Sequence, residues 1–563
     1  MGNNFSNITN SGTGILTGWS QLDAGLTTKI ISNNTFTNWT NLTGAITAMT
    51  VTGFGNTSAV AGNTISTITG QAAITGITIG TAGNATALNV NGNTISGLSS
   101  TGTGGAVTAL ASVNNSTAVN IFSDSINNLS STGASVTVAG ISITGGTGTV
   151  SLYSNILSNI RGTGVTSPIA QGLAVSGGAT VNIYRNKVYD IAENGISTGA
   201  TVNGFNITGG TNVTCYNNII GDLKAPNVSS ASAVRGIFIN SAALNSSYRL
   251  YYNSVYLNAT STGANFGSYG LYHNTTTTAT TANLILNNNV IVNVSTASGT
   301  GFTTAFFLSS TALANYDLSS NNNLFYAGVP GTKNVLLSVS TTNYSTLNDL
   351  QGFVLPREVG SVTENVTFIS TTASSTHFLK PDSTLASAIE SGGVNISGIT
   401  DDYAGSIRQG NAGTTSTGTA PDIGAFEQNG TAITYPVVVT GALVGNGNYG
   451  TLGSALNAIN SGAQTGANIT VSIQNNTDEL TSTAVLNAGA WASLTITPNG
   501  ARTVTGATTA GNPLINLNGA DNVTINGLNT GGNSLTIINT TLSASAGTST
   551  IRFINDATNN TIT

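Results

Sequence analysis

The sequence predicts an all-β protein: a right-handed parallel β-helix (solenoid) with an Asn ladder, a terminal cap segment, and the beginning of a second β-helix. Three observations predict it. One motif recurs about every 32 residues, apolar residues alternate with a period of two inside each copy, and β-branched residues, Gly and Asn dominate a composition with only 6% charged residues. A fixed period in this range is typical of solenoids, and alternation is typical of strands.

Residues 1–335 contain the repeat, which reads apolar-x-apolar-x-x-Asn-x-apolar-x-x-apolar, as in the copy 88–98. A coil of about 32 residues holds two or three short strands, and stacking coils about 4.8 Å apart pairs each strand with its copy in the next coil. About eleven coils are predicted. The register residues of the successive copies are Asn3, Asn34, Asn63, Asn93, Asp124, Asn155, Asn186, Asn218, Asn253, Asn289 and Asn323.

The register residues predict a structural ladder that runs along the solenoid from Asn34 to Asn323. Asn at the same turn of each coil can hydrogen-bond to its neighbours above and below, as in other stacked β structures. A β-sandwich or a propeller is the alternative, but the strands of a sandwich do not repeat one Asn-centred motif along the chain. Asp124 is read as a member of the same ladder.

Residues 336–430 are predicted to form an irregular, β-rich cap segment, and residues 431–563 a capping helix with the first coils of a second β-helix. In the segment 431–563, four apolar residues have the spacing of one helix face: Leu452, Ala455, Leu456 and Ile459. Thr451 precedes them as an N-cap. Such a helix would cover the open end of the new solenoid, because an uncovered sheet edge invites aggregation.

The motif resembles the pectate-lyase-type β-helix repeat, and the segment after it resembles the closing part of β-helix domains in giant secreted surface proteins of Bacteroidota-type bacteria. The residues that carry this second resemblance are the stretches 344–351 (YSTLNDLQ), 401–405 (DDYAG) with Arg408, and 421–427 (PDIGAFE). The resemblance implies an extracellular or cell-surface location and a structural role, as an adhesin stalk or an extracellular filament. A phage tail fibre and a polysaccharide-binding or polysaccharide-degrading β-helix protein remain alternatives.

The two ends of the chain predict its partners. Residues 1–5 lack the basic and apolar regions of a signal peptide, so secretion would use a signal outside this chain. Both ends lie in mid-coil, which favours further copies of the unit joined head-to-tail, covalently or by stacking; an arbitrary boundary is the alternative.

The charge and hydropathy of the chain also bear on its partners. A net charge of −6 without a basic run argues against nucleic acid as a partner, and no apolar stretch is long enough to insert into a membrane. Surface glycans remain candidate ligands.

Catalytic groups are sparse, and no enzyme activity is predicted. The densest charged group on the solenoid consists of Arg185, Lys187, Asp190, Glu193, Asp222 and Lys224. Asp190 and Asp222 are one coil apart and can stack on one face. The group is interpreted as surface ion pairs, with a carbohydrate site as the alternative, since glycosidases need two carboxylates across the bond. His273 and His377 lie in different regions, which disfavours a shared metal site.

A second acidic group lies in the cap segment and consists of Asp401, Asp402, Asp422 and Glu427 around Arg408. The favoured interpretation is an ion pair, with Arg408 bound in a bidentate manner to Asp422 or Glu427, that locks the cap. A calcium site is the alternative, because loop carboxylates can supply several of the oxygens that calcium needs. No other cofactor is predicted.

Overall fold

The protein is all-β, with 47% of its residues in strands and 3% in helices, as the sequence predicts. A computed structural model describes residues 2–23, 25–433 and 435–563. The chain separates into two compact units, one formed by the residues up to 347 together with 362–431, the other by 348–361 together with 432–563. The predicted three-part division at 335 and 430 stays a prediction, as does the right-handed sense of the coil.

The first unit is a solenoid of three long parallel sheets, which we call sheets A, B and C in the order in which each coil visits them. Sheet A consists of Asn4–Asn10, Thr35–Asn41, Thr64–Gly70, Thr94–Ser100, Ser125–Ser131, Ile156–Gly162, Lys187–Glu193, Ile219–Lys224, Ser254–Leu257, Val290–Asn293 and Leu324–Tyr326. Sheet B consists of Leu16–Gln21, Ile46–Val51, Ile74–Ile79, Val107–Ser112, Thr137–Ile143, Ile169–Val175, Thr201–Ile207, Ser230–Ile239, Phe266–His273, Thr303–Leu308, Asn334–Val339 and the antiparallel Thr342–Tyr344. Sheet C consists of Ile30–Ser32, Thr57–Ala61, Ala87–Asn91, Ala118–Phe122, Thr149–Tyr153, Thr180–Tyr184, Asn212–Tyr216, Ser247–Tyr251 and Asn283–Asn287.

Each strand pairs in parallel with its own copy one coil away, so like residues stack on like. In sheet A, for example, Ile95 pairs with Ile126 and Leu98 with Leu129. The inward-facing Ile, Leu and Val side chains are almost wholly buried and form one core along the axis. The alternation read from the sequence therefore corresponds to the inside and outside of the coil.

Left-handed backbone at fixed positions bends each coil. One column of residues with positive φ lies in the middle of the sheet A strands: Asn7, Asn38, Thr67, Gly97, Asn128, Asn159, Asp190 and Asp222. A second column lies between sheets C and A: Asn33, Gly62, Gly92, Ser123, Ser154, Arg185, Asn217, Tyr252, Asn288 and Asn322. Gly and Asn adopt this conformation with the least strain, which explains much of the unusual composition.

Residues 362–431, which correspond to most of the predicted cap and are called the cap segment below, pack against the outer face of sheet A. Phe378, Leu379 and Phe426 are buried in a small apolar cluster with Ile219 of the solenoid. Lys187 Nζ donates to the carbonyl oxygen of Ser375 at 3.0 Å. The short strands Ala386–Ser387 and Thr431–Ala432 are the regular elements within and at the end of this segment.

The second unit begins a shorter solenoid, as predicted, again with three sheets. The first sheet contains Gly447–Tyr449, Val437–Thr440, Asn468–Ile473, Ser493–Pro498, Val523–Ile525 and Thr561–Ile562, with its first three strands antiparallel. The second contains Thr477–Asp478, Ala501–Gly506 and Ser534–Asn539, and the third Ala484–Asn487, Pro513–Asn518 and Ser549–Ile554.

Two helices accompany this second solenoid. Helix Leu452–Asn460 buries the predicted apolar face, and the hydroxyl of Thr451 accepts from the backbone N–H of Ser454, as an N-cap does. Helix Leu347–Val354, which the sequence analysis did not predict, belongs almost entirely to this unit.

Candidate functional site

The most regular polar feature of the chain is the predicted Asn ladder, which is buried along the corner between sheets C and A. At each step that starts from an Asn, its backbone N–H and its side-chain Nδ2 both donate to Oδ1 of the next ladder residue; from Asn155 to Asn186 these distances are 3.1 and 3.0 Å. Nδ2 of Asn186 also donates to the carbonyl oxygen of Leu152 at 2.9 Å. Every polar atom of such an amide is therefore paired in a dry core, where an unpaired atom is costly.

The ladder includes every predicted member and continues to Asn3. The side-chain links are Asn3–Asn34, Asn34–Asn63, Asn63–Asn93, Asn93–Asp124, Asn155–Asn186, Asn186–Asn218, Asn218–Asn253, Asn253–Asn289 and Asn289–Asn323, all between 2.8 and 3.0 Å. The residue before each ladder residue from Asn34 to Asn323 has positive φ, whereas the ladder residue itself does not. That turn points the following side chain into the core.

Asp124 is the one irregular rung. It accepts from Asn93 Nδ2 at 2.9 Å and donates through its backbone N–H to Asn155 at 3.0 Å, but its Oδ2 is buried without a hydrogen-bond partner. An Asn would place a donor at that atom. Burial raises the pKa of Asp124 from 3.8 to about 7, although the hydrogen bonds from Asn93 lower it. The protonated acid can donate as an amide does, so burial favours the neutral form.

The two acids considered for a carbohydrate site, Asp190 and Asp222, stack one coil apart as the sequence suggested, in the positive-φ column of sheet A. The equivalent residues in other coils include Asn128 and Asn159. Asp, like Asn, tolerates left-handed backbone. The backbone conformation therefore accounts for these residue types without any catalytic role.

Both acids are also held in an ion-pair network. Asp190 Oδ1 lies 2.5 Å from Arg161 Nη2 and 2.9 Å from Lys224 Nζ, which in turn lies 2.8 Å from Asp222 Oδ1. Partial burial raises the pKa of Asp190, but the hydrogen bonds from Arg161 and Lys224 outweigh it and hold the pKa below its ordinary value. A carboxylate whose pKa lies below its ordinary value is a poor proton donor, which disfavours Asp190 as a general acid.

Glu193 and Arg185, of the same predicted group, have other environments. The Glu193 carboxyl is buried with both oxygens unpaired, in space left by Gly162 of the preceding coil, where a Cβ would lie 1.8 Å from Glu193 Oε1. Burial raises the pKa of Glu193 from 4.5 to about 8. Arg185 forms an ion pair with Asp401 and donates through Nε to the carbonyl oxygen of Asp402 at 2.9 Å. It therefore attaches the cap segment to the solenoid.

Arg408 is the main anchor of the cap segment and is wholly buried. It does not form the bidentate pair that the sequence suggested, because Nη1 makes one contact of 3.4 Å to Glu427. Its Nη2 donates to Asn217 Oδ1 at 2.7 Å and to the carbonyl oxygen of Gly424 at 2.9 Å. The guanidinium also stacks 3.8 Å above the ring of Tyr252. Arg408 thus joins two coils of the solenoid to the cap.

The carboxylates around Arg408 are bound mostly by backbone N–H groups. Asp402 accepts from Ser406 and Glu427, Asp422 from Ser391 and Gln428, and Glu427 from Gln409 and Asp422, at distances of 2.7–3.0 Å. Burial and the charge of Glu427 raise the pKa of Asp422 to about 8. These hydrogen bonds close loops of the cap segment.

The two histidines lie in different segments of the first unit. His273 is buried at the end of a sheet B strand, and burial lowers its pKa to about 4, whereas His377 is exposed in the cap segment. Across residues 2–23, 25–433 and 435–563, no group of three or more His, Cys, Asp or Glu side chains is placed to hold a metal ion. In the same ranges no helix is long and apolar enough to cross a membrane.

Two ordered features escaped the sequence analysis. Phe122, Tyr153, Tyr184 and Tyr216 stack face to face on the outside of sheet C, with ring centroids 4.7–4.8 Å apart. Each lies two residues before a ladder residue, and this fixed offset could have revealed the stack. In the second unit, Glu479 accepts from the backbone N–H groups of Leu452 and Gly453 at the start of the helix; no local pattern marks it.

No protein-family model, curated protein or solved structure matches this chain.

Proposed function

We propose that this chain is a non-catalytic structural module of a giant secreted tandem-repeat surface protein, serving as an adhesin stalk or an extracellular filament. The observation that supports this most is the ladder, which links every coil of the first solenoid from Asn3 to Asn323 through a buried amide or carboxyl. Because each coil of a solenoid contacts only its neighbours, such links, with three parallel sheets, join the coils into one continuous rod.

The placement of the acids supports the non-catalytic part of the proposal. Asp190 and Asp222 occupy left-handed positions and share Lys224 as a counter-ion. The cap carboxylates bind backbone N–H groups, and Arg408 attaches them to the solenoid. Each of these acids has a scaffold role that explains its position.

The partners and location in this proposal follow from the resemblance to Bacteroidota-type surface proteins. The chain would lie outside the cell or on its surface, adjoin further copies of itself, and need no cofactor, with calcium in the cap as the one open addition. The apolar cross-section of stacked coils is well suited to continuation by another copy, because a non-closing head-to-tail contact generates a filament.

Two experiments test the proposal. Antibodies raised against the purified chain should label intact source cells, and the protein they capture should be longer than this chain and contain further copies of the unit. A protein found only inside the cell would contradict the proposal.

The second experiment measures turnover. The purified chain should release no unsaturated or reducing ends from pectin, alginate, xylan or chondroitin, with or without calcium. Asp190→Asn and Asp222→Asn serve as the matched variants: turnover in the wild type that either variant abolishes would overturn the structural interpretation.

A further inference from the structure

A cleft of about 520 Å³ lies between the outer face of sheet C and the cap segment, both within the first unit. Its floor is formed by Thr214, Tyr216, Arg249 and Tyr251 from two adjacent coils, and its wall by residues 395–399. The volume lies in the range of about 300–1,000 Å³ that small-molecule sites occupy. None of the residues that line the cleft belongs to the ion-pair network of Asp190, whereas Asp401 of the cap carboxylates acts electrostatically on Tyr216.

The wall of the cleft is fixed to the solenoid by side chains next to the ladder. Tyr252 Oη donates to the carbonyl oxygen of Val394 at 2.5 Å. Asn288 holds the same residue from both sides, with Nδ2 donating to its carbonyl oxygen at 2.8 Å and Oδ1 accepting from its N–H at 3.0 Å. The cleft is thus formed in advance of any ligand, which reduces the ordering cost of binding.

The aromatic stack on sheet C ends in this cleft. Tyr184 covers one face of the Tyr216 ring at 4.7 Å. Tyr251 is the register partner of Tyr216 in the next coil, yet within the described residues no aromatic ring packs against the second face of Tyr216. A flat apolar face beside hydroxyl and amide groups, here those of Thr214 and Asn395, matches the mixed apolar and polar surface of a sugar ring.

The cleft also contains a guanidinium without an acidic partner. Arg249 is half-exposed on the floor, and among the described residues it forms neither an ion pair nor a hydrogen bond. Asp317 and Arg249 both act electrostatically on Tyr251, but Asp317 raises its pKa and Arg249 lowers it. Asp317 accepts hydrogen bonds from Asn283 Nδ2 at 3.1 Å and from the Ser319 hydroxyl at 2.7 Å. A free guanidinium pairs best with a carboxylate or a similar oxyanion in a bidentate geometry.

We propose that this cleft binds an acidic sugar residue of an extracellular polysaccharide. The anionic group, a carboxylate or a sulfate, pairs with Arg249, the ring packs against Tyr216, and its hydroxyls bond to Thr214, Asn395 and Ser397. This binding site goes beyond the proposed structural role; only the extracellular source of its ligand rests on that proposal.

The test is calorimetric titration of the full chain with three oligosaccharides of equal length: oligogalacturonate, a heparin oligosaccharide, and a neutral galacto-oligosaccharide. At least one acidic oligosaccharide should bind roughly tenfold more tightly than the neutral one, and which of the two binds identifies the anion. Arg249→Gln should lower that affinity roughly tenfold. Arg235→Gln, which removes a guanidinium from sheet B, should leave it unchanged.

A matched aromatic pair completes the test. Tyr216→Ala should weaken binding of the acidic oligosaccharide, whereas Tyr153→Ala, which removes a ring from the same stack outside the cleft, should not. Circular dichroism confirms that each variant is folded. The proposal is overturned if neither acidic oligosaccharide binds, if the neutral one binds equally, if poly-glutamate binds as tightly as the sugars, or if the Arg235 and Arg249 variants behave alike.

Discussion

Replacing Asp124 by Asn should stabilise the central coils, and more so as the pH rises. The folded-state pKa of Asp124 is about 7 instead of 3.8, because the carboxyl is buried. Below pH 3.8 the acid is protonated in both states. As the pH rises to about 7 only the unfolded chain ionises, so stability is lost by about 1.4 kcal/mol per pH unit. That loss amounts to about 4 kcal/mol at pH 8, and Asn avoids it.

At low pH the protonated acid can donate through the otherwise unpartnered Oδ2 as an amide does, so the variant adds no donor there. We therefore expect Asp124→Asn to gain little at pH 4 and about 4 kcal/mol at pH 8. Hydrogen exchange of the amides in Ala118–Phe122 and Ser125–Ser131 measures this locally, since a solenoid need not unfold in one step. Asp556→Asn, an exposed acid in the second unit, is the control. An equal gain at both pH values would refute the reasoning.

Three further predictions concern other sites. Glu193→Gln should raise the stability of its coil by up to about 4–5 kcal/mol at pH 9 but little at pH 4, because the folded-state pKa of about 8 exceeds the ordinary 4.5. Hydrogen exchange of the backbone amides at the two pH values measures this gain. Equal protection of variant and wild type at pH 9 would contradict the prediction. Arg408→Lys should expose the cap segment, residues 362–431, to trypsin, because an ammonium group lacks the planar fork that donates to Asn217 and Gly424. Each buried acceptor left unpaired costs about 1–3 kcal/mol. A cap that resists trypsin like the wild type would exclude this anchoring role. Thr451→Ala should lower the stability of the helix Leu452–Asn460 by about 1 kcal/mol. Hydrogen exchange of the amides in the first helical turn should then be faster, and equal exchange rates would argue against Thr451 as the N-cap.

The periodic parts of this fold were predictable from the sequence because each is repeated many times. The ladder position could be read from one recurring Asn, and even Asp124 was placed correctly, since its neighbours in the motif fixed the register. The fold of the second unit followed from the same alternation. Its helix was marked by apolar spacing and by Thr451, a local signal.

Features that depend on contacts between distant residues were not predictable. Arg408 reaches Asn217, nearly two hundred residues earlier in the chain, and nothing near either residue indicates the contact. Glu193 is buried because Gly162, one coil earlier, leaves space for it. The cleft at Arg249 exists only because residues 395–399 fold back onto sheet C. Sequence periodicity reports stacking between like residues, whereas these contacts join unlike ones.

The central claim is that buried Asn side chains hold the coils together, and Asn186→Leu tests it most directly. The change removes the acceptor of Asn155 Nδ2 at 3.0 Å and the donor to Asn218 Oδ1 at 3.0 Å. It leaves buried polar groups unpaired at about 1–3 kcal/mol each. The matched control is Asn182→Leu, on the outward-facing side of the same coil.

The decisive measurement is hydrogen exchange of the backbone amides along the whole first solenoid in these two variants. We predict that Asn186→Leu lowers protection in its own coil and in the coils of Asn155 and Asn218, while the coil of Asn63 stays protected because solenoid coils contact only their neighbours. Asn182→Leu should resemble the wild type. Unchanged protection around Asn186, or an equal loss in both variants, would contradict the claim that the ladder holds the coils together.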